Sequence, residues 1–224
     1  MRSDRKLFIS GPMTDKSINS MHCELLELGP LLDLTEAISQ QVYDADFRPD
    51  LIIAIARGGL VPARFVADTL GISSIASVTV RHYTAGAKKN EGAFVAHPVN
   101  ADIKGQRVLV VDDVNDTGDT FEVALPYIDS LDPAEVRTAV LHEKEVSSYR
   151  ADYVGENLPE WRWLIYPWAA VEDLSSFVIE LAPIAENRCG LLALLFDHYG
   201  VNFSESRLDQ VLRLVGEPGR RFLC

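Results

Sequence analysis

The segment Val108-Leu109-Val110-Val111-Asp112-Asp113-Val114-Asn115-Asp116-Thr117-Gly118-Asp119-Thr120 sets four apolar residues directly before two adjacent acids and ends in a Thr-Gly-Asp-Thr loop. An apolar run this short and β-branched is a buried parallel strand, predicted over 107–111. Asp112 and Asp113 then stand at its C-terminal edge, where open α/β sheets bind ligands. The loop leads straight into a helical pattern over 120–128, which Pro126 limits. Small loop residues let backbone amides approach an anion, hydroxyls add donors, and a helix N-terminus adds partial positive charge. Carboxylates cannot hold a phosphate, but they accept hydrogen bonds from sugar hydroxyls or ligate Mg²⁺. The chemistry implied is that of a sugar phosphate with free hydroxyls.

Strand and helix signals alternate outward from this segment. Residues 51–56, Leu-Ile-Ile-Ala-Ile-Ala, form another short apolar run, bounded by Pro49 and Gly58. After Arg57-Gly58-Gly59 a helix with Pro62 near its start runs to about Leu70, where Gly71 ends it. Residues 75–80 and 136–141 are further strands. Apolar positions at Leu25, Leu28, Leu32 and Ile38 predict a helix over 21–43, broken near Gly29-Pro30. Strands alternating with helices imply βαβ units and a mostly parallel sheet. Two stretches interrupt the rhythm. Residues 84–100 read as a long loop or ribbon of a kind that is often functional, and Trp161, Trp163, Tyr166 and Trp168 crowd together. Beyond Ala185 two short helices are expected, over 191–199 and 207–215, the second capped by Ser204.

The charge balance, 21 Lys+Arg against 33 Asp+Glu for a net −12, argues against a protein that grips nucleic acid through its phosphates. No apolar run approaches the roughly 18–20 residues of a membrane span, and MRSDRKLFIS has no signal-peptide core. Cys23, Cys189 and Cys224 lie too far apart for a disulfide framework or a zinc site, which points to a reducing compartment. A cytoplasmic chain is expected.

The pattern of four apolar residues, two acids and Asp116-Thr117-Gly118-Asp119-Thr120 resembles the phosphoribosyl pyrophosphate (PRPP) motif of type I phosphoribosyltransferases. The resemblance covers about residues 22–175. It implies the α/β fold of that family, with a mostly parallel central sheet flanked by helices. A domain over 1–184 would include a small hood at about 149–175, and 185–224 would be a helical extension. Residues 49–62 resemble the family's pyrophosphate loop: Gly58 allows close backbone approach, and Arg57 supplies positive charge or shapes the turn. A cis peptide at Ala56–Arg57 is implied with it. The loop from His82 to His97 lies where the family carries a flexible loop. Lys88 and Lys89 there either meet the pyrophosphate charge or are simply solvated, and the two histidines receive no role. Lys144 falls where 6-oxopurine enzymes place a lysine that donates to the O6 and N7 region of the base. Residues 161–168 resemble the hood of the xanthine-guanine type, with Trp163 stacking on the purine and Leu164 offering backbone groups to its edge. The same aromatics would also suit a packed strand face. One departure stands out: Ile165 occupies the place of an acid used for Mg²⁺, leaving Glu172 and Asp173 as candidate substitutes.

The resemblance implies Mg²⁺-dependent transfer of the 5-phosphoribosyl group from PRPP to a purine, a 6-oxopurine above all, in purine salvage. A ring nitrogen would displace pyrophosphate from C1, with positioning and electrostatics supplying most of the catalysis. Thr117, Gly118, Asp119 and Thr120 would hold the 5′-phosphate. Asp112 and Asp113 would meet the ribose hydroxyls, directly or through the metal. Asp116 would accept or relay a proton at N7. PRPP and a purine base are the expected partners of a homodimer or higher homo-oligomer, without nucleic acid or membrane. Two other readings stay open: a PRPP-binding regulator without turnover, and a transferase for adenine or a pyrimidine. Lys144 and the hood speak for a purine enzyme, and the tail shows no DNA-recognition helix. Residues 7–13 resemble a short nucleotide-binding strand and turn to which no role is assigned.

Overall fold

The computed structural model describes residues 21–82 and 93–223; residues 7–13, Lys88, Lys89 and Cys224 lie outside the described residues. The chain enters through β1 (Cys23–Leu25) and α1 (Leu28–Asp44), then runs β2 (Leu51–Ala56), α2 (Leu60–Leu70) and β3 (Ile75–His82). Strand β4 (Ala93–His97) turns back antiparallel on β3, so residues 93–97 of the expected loop or ribbon are ribbon. The motif segment forms β5 (Arg107–Asn115) and α3 (Asp119–Asp129), and β6 (Glu135–Lys144) and β7 (Tyr153–Leu158) follow. Among the described residues these strands make a six-stranded sheet in the order β4-β3-β2-β5-β6-β7, parallel apart from β4. Strand β5 sits at its centre, with Val108 through Asp113 buried. Helices α1 and α2 cover one face, with Leu31, Ile38 and Val66 packed on Ile52, Leu109 and Leu141. Helix α3 covers the other, with Phe121, Ala124 and Ile128 on Ile53, Val110 and Val140.

Residues 21–27 depart from expectation. Cys23–Leu25 is a strand, not the start of a helix, because it pairs in parallel with β8 (Trp163–Ile165) to form a separate two-stranded sheet. Gly29 and Pro30 lie in the first turn of α1 instead of breaking it; proline costs no hydrogen bond there. Strand β5 also runs on to Asn115, because β6 keeps pairing with it as far as Glu143. The two acids therefore lie inside a hydrogen-bonded ladder, not beyond its edge.

The chain ends in α4 (Ala170–Leu181), α5 (Arg188–Tyr199), α6 (Glu205–Leu214) and α7 (Glu217–Arg220). The Ser204 hydroxyl accepts from the Arg207 amide at 3.2 Å and caps α6. Leu174, Leu181, Leu191, Leu208 and Leu212 from these helices close over Cys23 and Ile165 in one buried cluster. Among the described residues no helix is long and apolar enough to cross a membrane.

Candidate active site

A cavity of about 460 Å³ opens at the C-terminal ends of β2 and β5, lined by residues 55–58 and 112–121 together with Val80. The motif loop builds one side of it. Gly118 adopts φ +98°, and a Cβ there would run into the Ser148 hydroxyl and the Tyr149 amide nitrogen. Both the amide and the hydroxyl of Ser148 donate to the Thr117 carbonyl at 2.9 Å, tying the loop to the segment after β6. Helix α3 then starts at Asp119 without a side-chain cap, and residues 119–121 of its first turn line the cavity.

The floor is the acid pair. The Asp113 amide donates to Asp112 Oδ1 at 2.9 Å. Burial, joined by the charge of Asp113, pushes the Asp112 carboxyl well above the usual carboxylate range. Burial also raises Asp113, against the opposing hydrogen bond from Trp168. Two desolvated carboxylates side by side create a demand for positive charge or for hydroxyl donors. The pyrophosphate-loop candidates abut this floor. The Ala56–Arg57 peptide is cis, as the loop resemblance implies. A Cβ on Gly58 would overlap the Asp113 carboxylate, and one on Gly59 the Val111 carbonyl, so only glycine lets the loop lie this close. The exposed Arg57 guanidinium reaches out to an ion pair with Glu172 of α4.

At the other end, Lys144 Nζ contacts Asp116 Oδ1 at 3.0 Å, and the Lys144 side chain is 3% exposed. Trp161 Nε1 donates to the same oxygen at 3.2 Å. The Lys144 ammonium lies 4.6 Å from the Trp161 ring centre and 6.0 Å from that of Trp163. Trp163 is partly buried against the C-terminal helices, and its Nε1 donates to Asp173 at 3.2 Å. Burial pushes the Asp173 carboxyl up to about 6, opposed by that bond. In β8 the Trp163 amide donates to the His22 carbonyl and the Ile165 carbonyl accepts from Leu26, so these two residues face β1. Leu164 lies between them, and its peptide groups point to the opposite edge. Ile165 is fully buried in the helical cluster. Asp173 and Glu172 thus approach the site from α4, one beside Trp163 and the other beside Arg57.

The sequence reading missed a second layer. Trp168 Nε1 donates to Asp113 Oδ2 and the Tyr166 hydroxyl to the Asp113 carbonyl, each at 2.9 Å. With its proton so used, Tyr166 accepts from His142 Nδ1 at 2.8 Å, which fixes that tautomer. Burial holds His142 down to about 4, neutral near pH 7. Beneath the loop, Asn115 Nδ2 donates to the buried Glu143 at 3.0 Å and to the Tyr149 carbonyl at 2.8 Å, while Ser147 donates back to Asn115 Oδ1 at 2.8 Å. The alternation of Tyr166 and Trp168 was the available signal. Nothing local identifies their target.

Residues 23–167 match the family model of the phosphoribosyl transferase domain. The xanthine-guanine phosphoribosyltransferase of Desulfotalea psychrophila is 31% identical over 134 residues, 60% of this chain and 78% of that protein. A purine phosphoribosyltransferase structure from Pyrococcus horikoshii is 31% identical, with a TM-score of 0.58 over 66% of this chain and 94% of its own. A Helicobacter pylori xanthine-guanine-hypoxanthine phosphoribosyltransferase, 21% identical with a TM-score of 0.58, covers 69% of this chain and 99% of its own and shares the fold. The matched span, which contains the acid pair and the Thr117–Thr120 loop of the cavity, makes this chain a member of the phosphoribosyl transferase domain family.

Proposed function

We infer that this chain transfers the 5-phosphoribosyl group of PRPP to a purine base, releasing pyrophosphate. The observation that carries the reading is the placement of the Lys144–Asp116 contact at one end of a cavity whose other walls are the motif loop and the glycine loop. Within it, Thr117, Gly118, Asp119 and Thr120 receive the 5′-phosphate, and Asp112 and Asp113 accept from the ribose hydroxyls. Arg57 and Gly58 meet the pyrophosphate, with Lys88 and Lys89 assigned to the same charge. Lys144, Trp163 and the Leu164 backbone hold the base. Asp116 accepts the proton that the attacking base must lose, and is the catalytic residue.

Mg²⁺ belongs to this reading. The buried carboxylates of Asp112 and Asp113 offer hard oxygen donors and lack a cation of their own among the described residues, which suits a divalent ion that takes further ligands from water and phosphate oxygens. Among the described residues no group of three His, Cys, Asp or Glu side chains could hold a metal unaided, so substrate oxygens would complete the shell. When bound, the ion neutralises the departing pyrophosphate. A 6-oxopurine is the proposed base, because Lys144 can donate to a ring carbonyl. The reading also places the chain in the cytoplasm as a homo-oligomer, with 1–184 as the catalytic domain and 185–224 as its extension.

A pyrophosphate-release assay with PRPP, Mg²⁺ and hypoxanthine, guanine, xanthine, adenine, uracil and orotate tests it. Release with one or more oxopurines is expected. PRPP binding without release from any base would leave a sensor in place of an enzyme.

A further inference from the structure

Lys144 presents a contradiction to any ligand that needs it. Asp116 lines the open cavity, yet the Lys144 side chain behind it is only 3% exposed. Trp161 and Trp163 both lie against its ammonium, Trp161 the nearer. The Trp161 indole N–H takes the Asp116 oxygen that Lys144 also contacts, and its ring lies 4.6 Å from the ammonium. The indole thus supplies a ring N–H to the carboxylate and a flat π-face to the cation. A 6-oxopurine entering the same place would present a ring N–H to the carboxylate and, in place of the π-face, a ring carbonyl to the ammonium. Trp161 is also poised to leave: it lies between β7 and β8, outside both strands, and is 46% exposed. Trp163, by contrast, is held in β8 and bonded to Asp173.

We propose that Trp161 is a specificity-determining residue that occupies the base subsite of the free chain as an internal surrogate of the heterocycle, and withdraws when the base binds. The proposal rests on the reading of Lys144 and Asp116 as the base-binding end. A bound base must recover the contacts that the indole gives up, so apparent affinity falls by the fraction of chains in which the subsite is open. Ligands without both a ring N–H donor and an acceptor for Lys144 cannot recover both and are rejected.

Two measurements on Trp161→Ala, with Trp161→Phe as the conservative partner, test this. The first needs no substrate: acetylation of lysines by acetic anhydride, followed by peptide mass spectrometry, with exposed Lys104 as internal reference. Protection scales with the closed population, so labelling of Lys144 should rise about fivefold or more in Trp161→Ala, and less in Trp161→Phe, which keeps the ring and loses the N–H. The second is steady-state kinetics with the base that the pyrophosphate-release panel identifies. KM for the base should fall about three- to tenfold in Trp161→Ala while KM for PRPP stays within about twofold. Unchanged labelling of Lys144 would overturn the proposal. So would a base KM that is unchanged or raised, the latter making Trp161 a platform for the bound base. If neither protein releases pyrophosphate with any base, the transfer reading fails by itself, and the labelling rate still decides whether Trp161 seals Lys144.

Discussion

At the scale of single residues, Asp116 and His142 play opposite parts. Asp116 is partly exposed at the cavity and touches Lys144, whereas His142 is buried and holds Tyr166, which in turn holds the Asp113 carbonyl. Replacing Asp116 with Asn should lower kcat by about a hundredfold, the usual size of a general-base contribution, and leave PRPP affinity unchanged by calorimetry. Unchanged turnover would remove its catalytic role. His142 carries a pH dependence of stability. Its folded-state pKa of about 4 lies below the ordinary 6.5, so the unfolded chain binds the proton more readily. The stability it contributes is therefore complete above pH 6.5 and is lost as the pH falls toward 4. The raised carboxyls of Asp112, Asp113 and Asp173 act with the opposite sign, so the His142 contribution of about 2–3 kcal/mol over that window is read in urea unfolding as the difference between the parent and a variant without the titrating ring. In a His142→Asn variant, which keeps a donor toward Tyr166 without a titrating ring, stability should become more favourable relative to the parent by that amount as the pH falls from 6.5 to 4; parallel curves for the two proteins would exclude His142 as a source of pH dependence.

At the scale of elements, the turn between β5 and α3 depends on glycine for two separate reasons. Gly118 has φ +98° and is hemmed in by Ser148 and Tyr149, while Gly71, which ends α2 at φ +69°, has no heavy atom near its missing Cβ. Both Gly→Ala changes should cost roughly 1–2 kcal/mol through the backbone. Only Gly118→Ala should also raise the KM for PRPP, by about tenfold or more, because it must push the loop off Ser148 and misplace the amides that face the anion. Equal effects of the two variants on KM would show that the loop tolerates displacement. The β5–α3 unit was legible because its determinants are consecutive: an apolar run, two acids, a small-residue loop and a helix. Strand β8 was legible only as one of two readings of residues 161–168, because its three residues acquire strand character when β1 pairs with them.

At the scale of the whole molecule, the C-terminal helices close over the β1–β8 sheet. Leu191, Leu195, Leu208, Val211, Leu212 and Phe222 are buried on the cluster that contains Cys23 and Ile165. Side chains of this kind contribute about 1.5–3 kcal/mol each on burial, and about one or two kcal/mol is already a large fraction of a domain's net stability. A chain ending at residue 185 should therefore expose the β1–β8 sheet, bind the dye ANS, and lose its cooperative thermal transition or show it many degrees lower. A truncated chain that melts cooperatively within a few degrees of the parent would mean that the helices only decorate the fold. Helix α4 also carries Glu172 to Arg57 and Asp173 to Trp163, so losing its support should disturb both ends of the cavity.

What the sequence determined by itself was local. The motif of residues 108–120, the glycine loop after β2 and the Ser204 cap each reside in a short run of residues whose backbone preferences and spacing act on one another directly. The tertiary structure alone decided that Ile165 would be core, that Asp173 of α4 would meet the Trp163 indole, that Trp168 and Tyr166 would clamp Asp113, and that Trp161 rather than Trp163 would lie closer to Lys144. These contacts join residues distant along the chain. Sheet pairing and side-chain packing select such partners only when the whole chain closes around them, and no spacing within one segment encodes that choice.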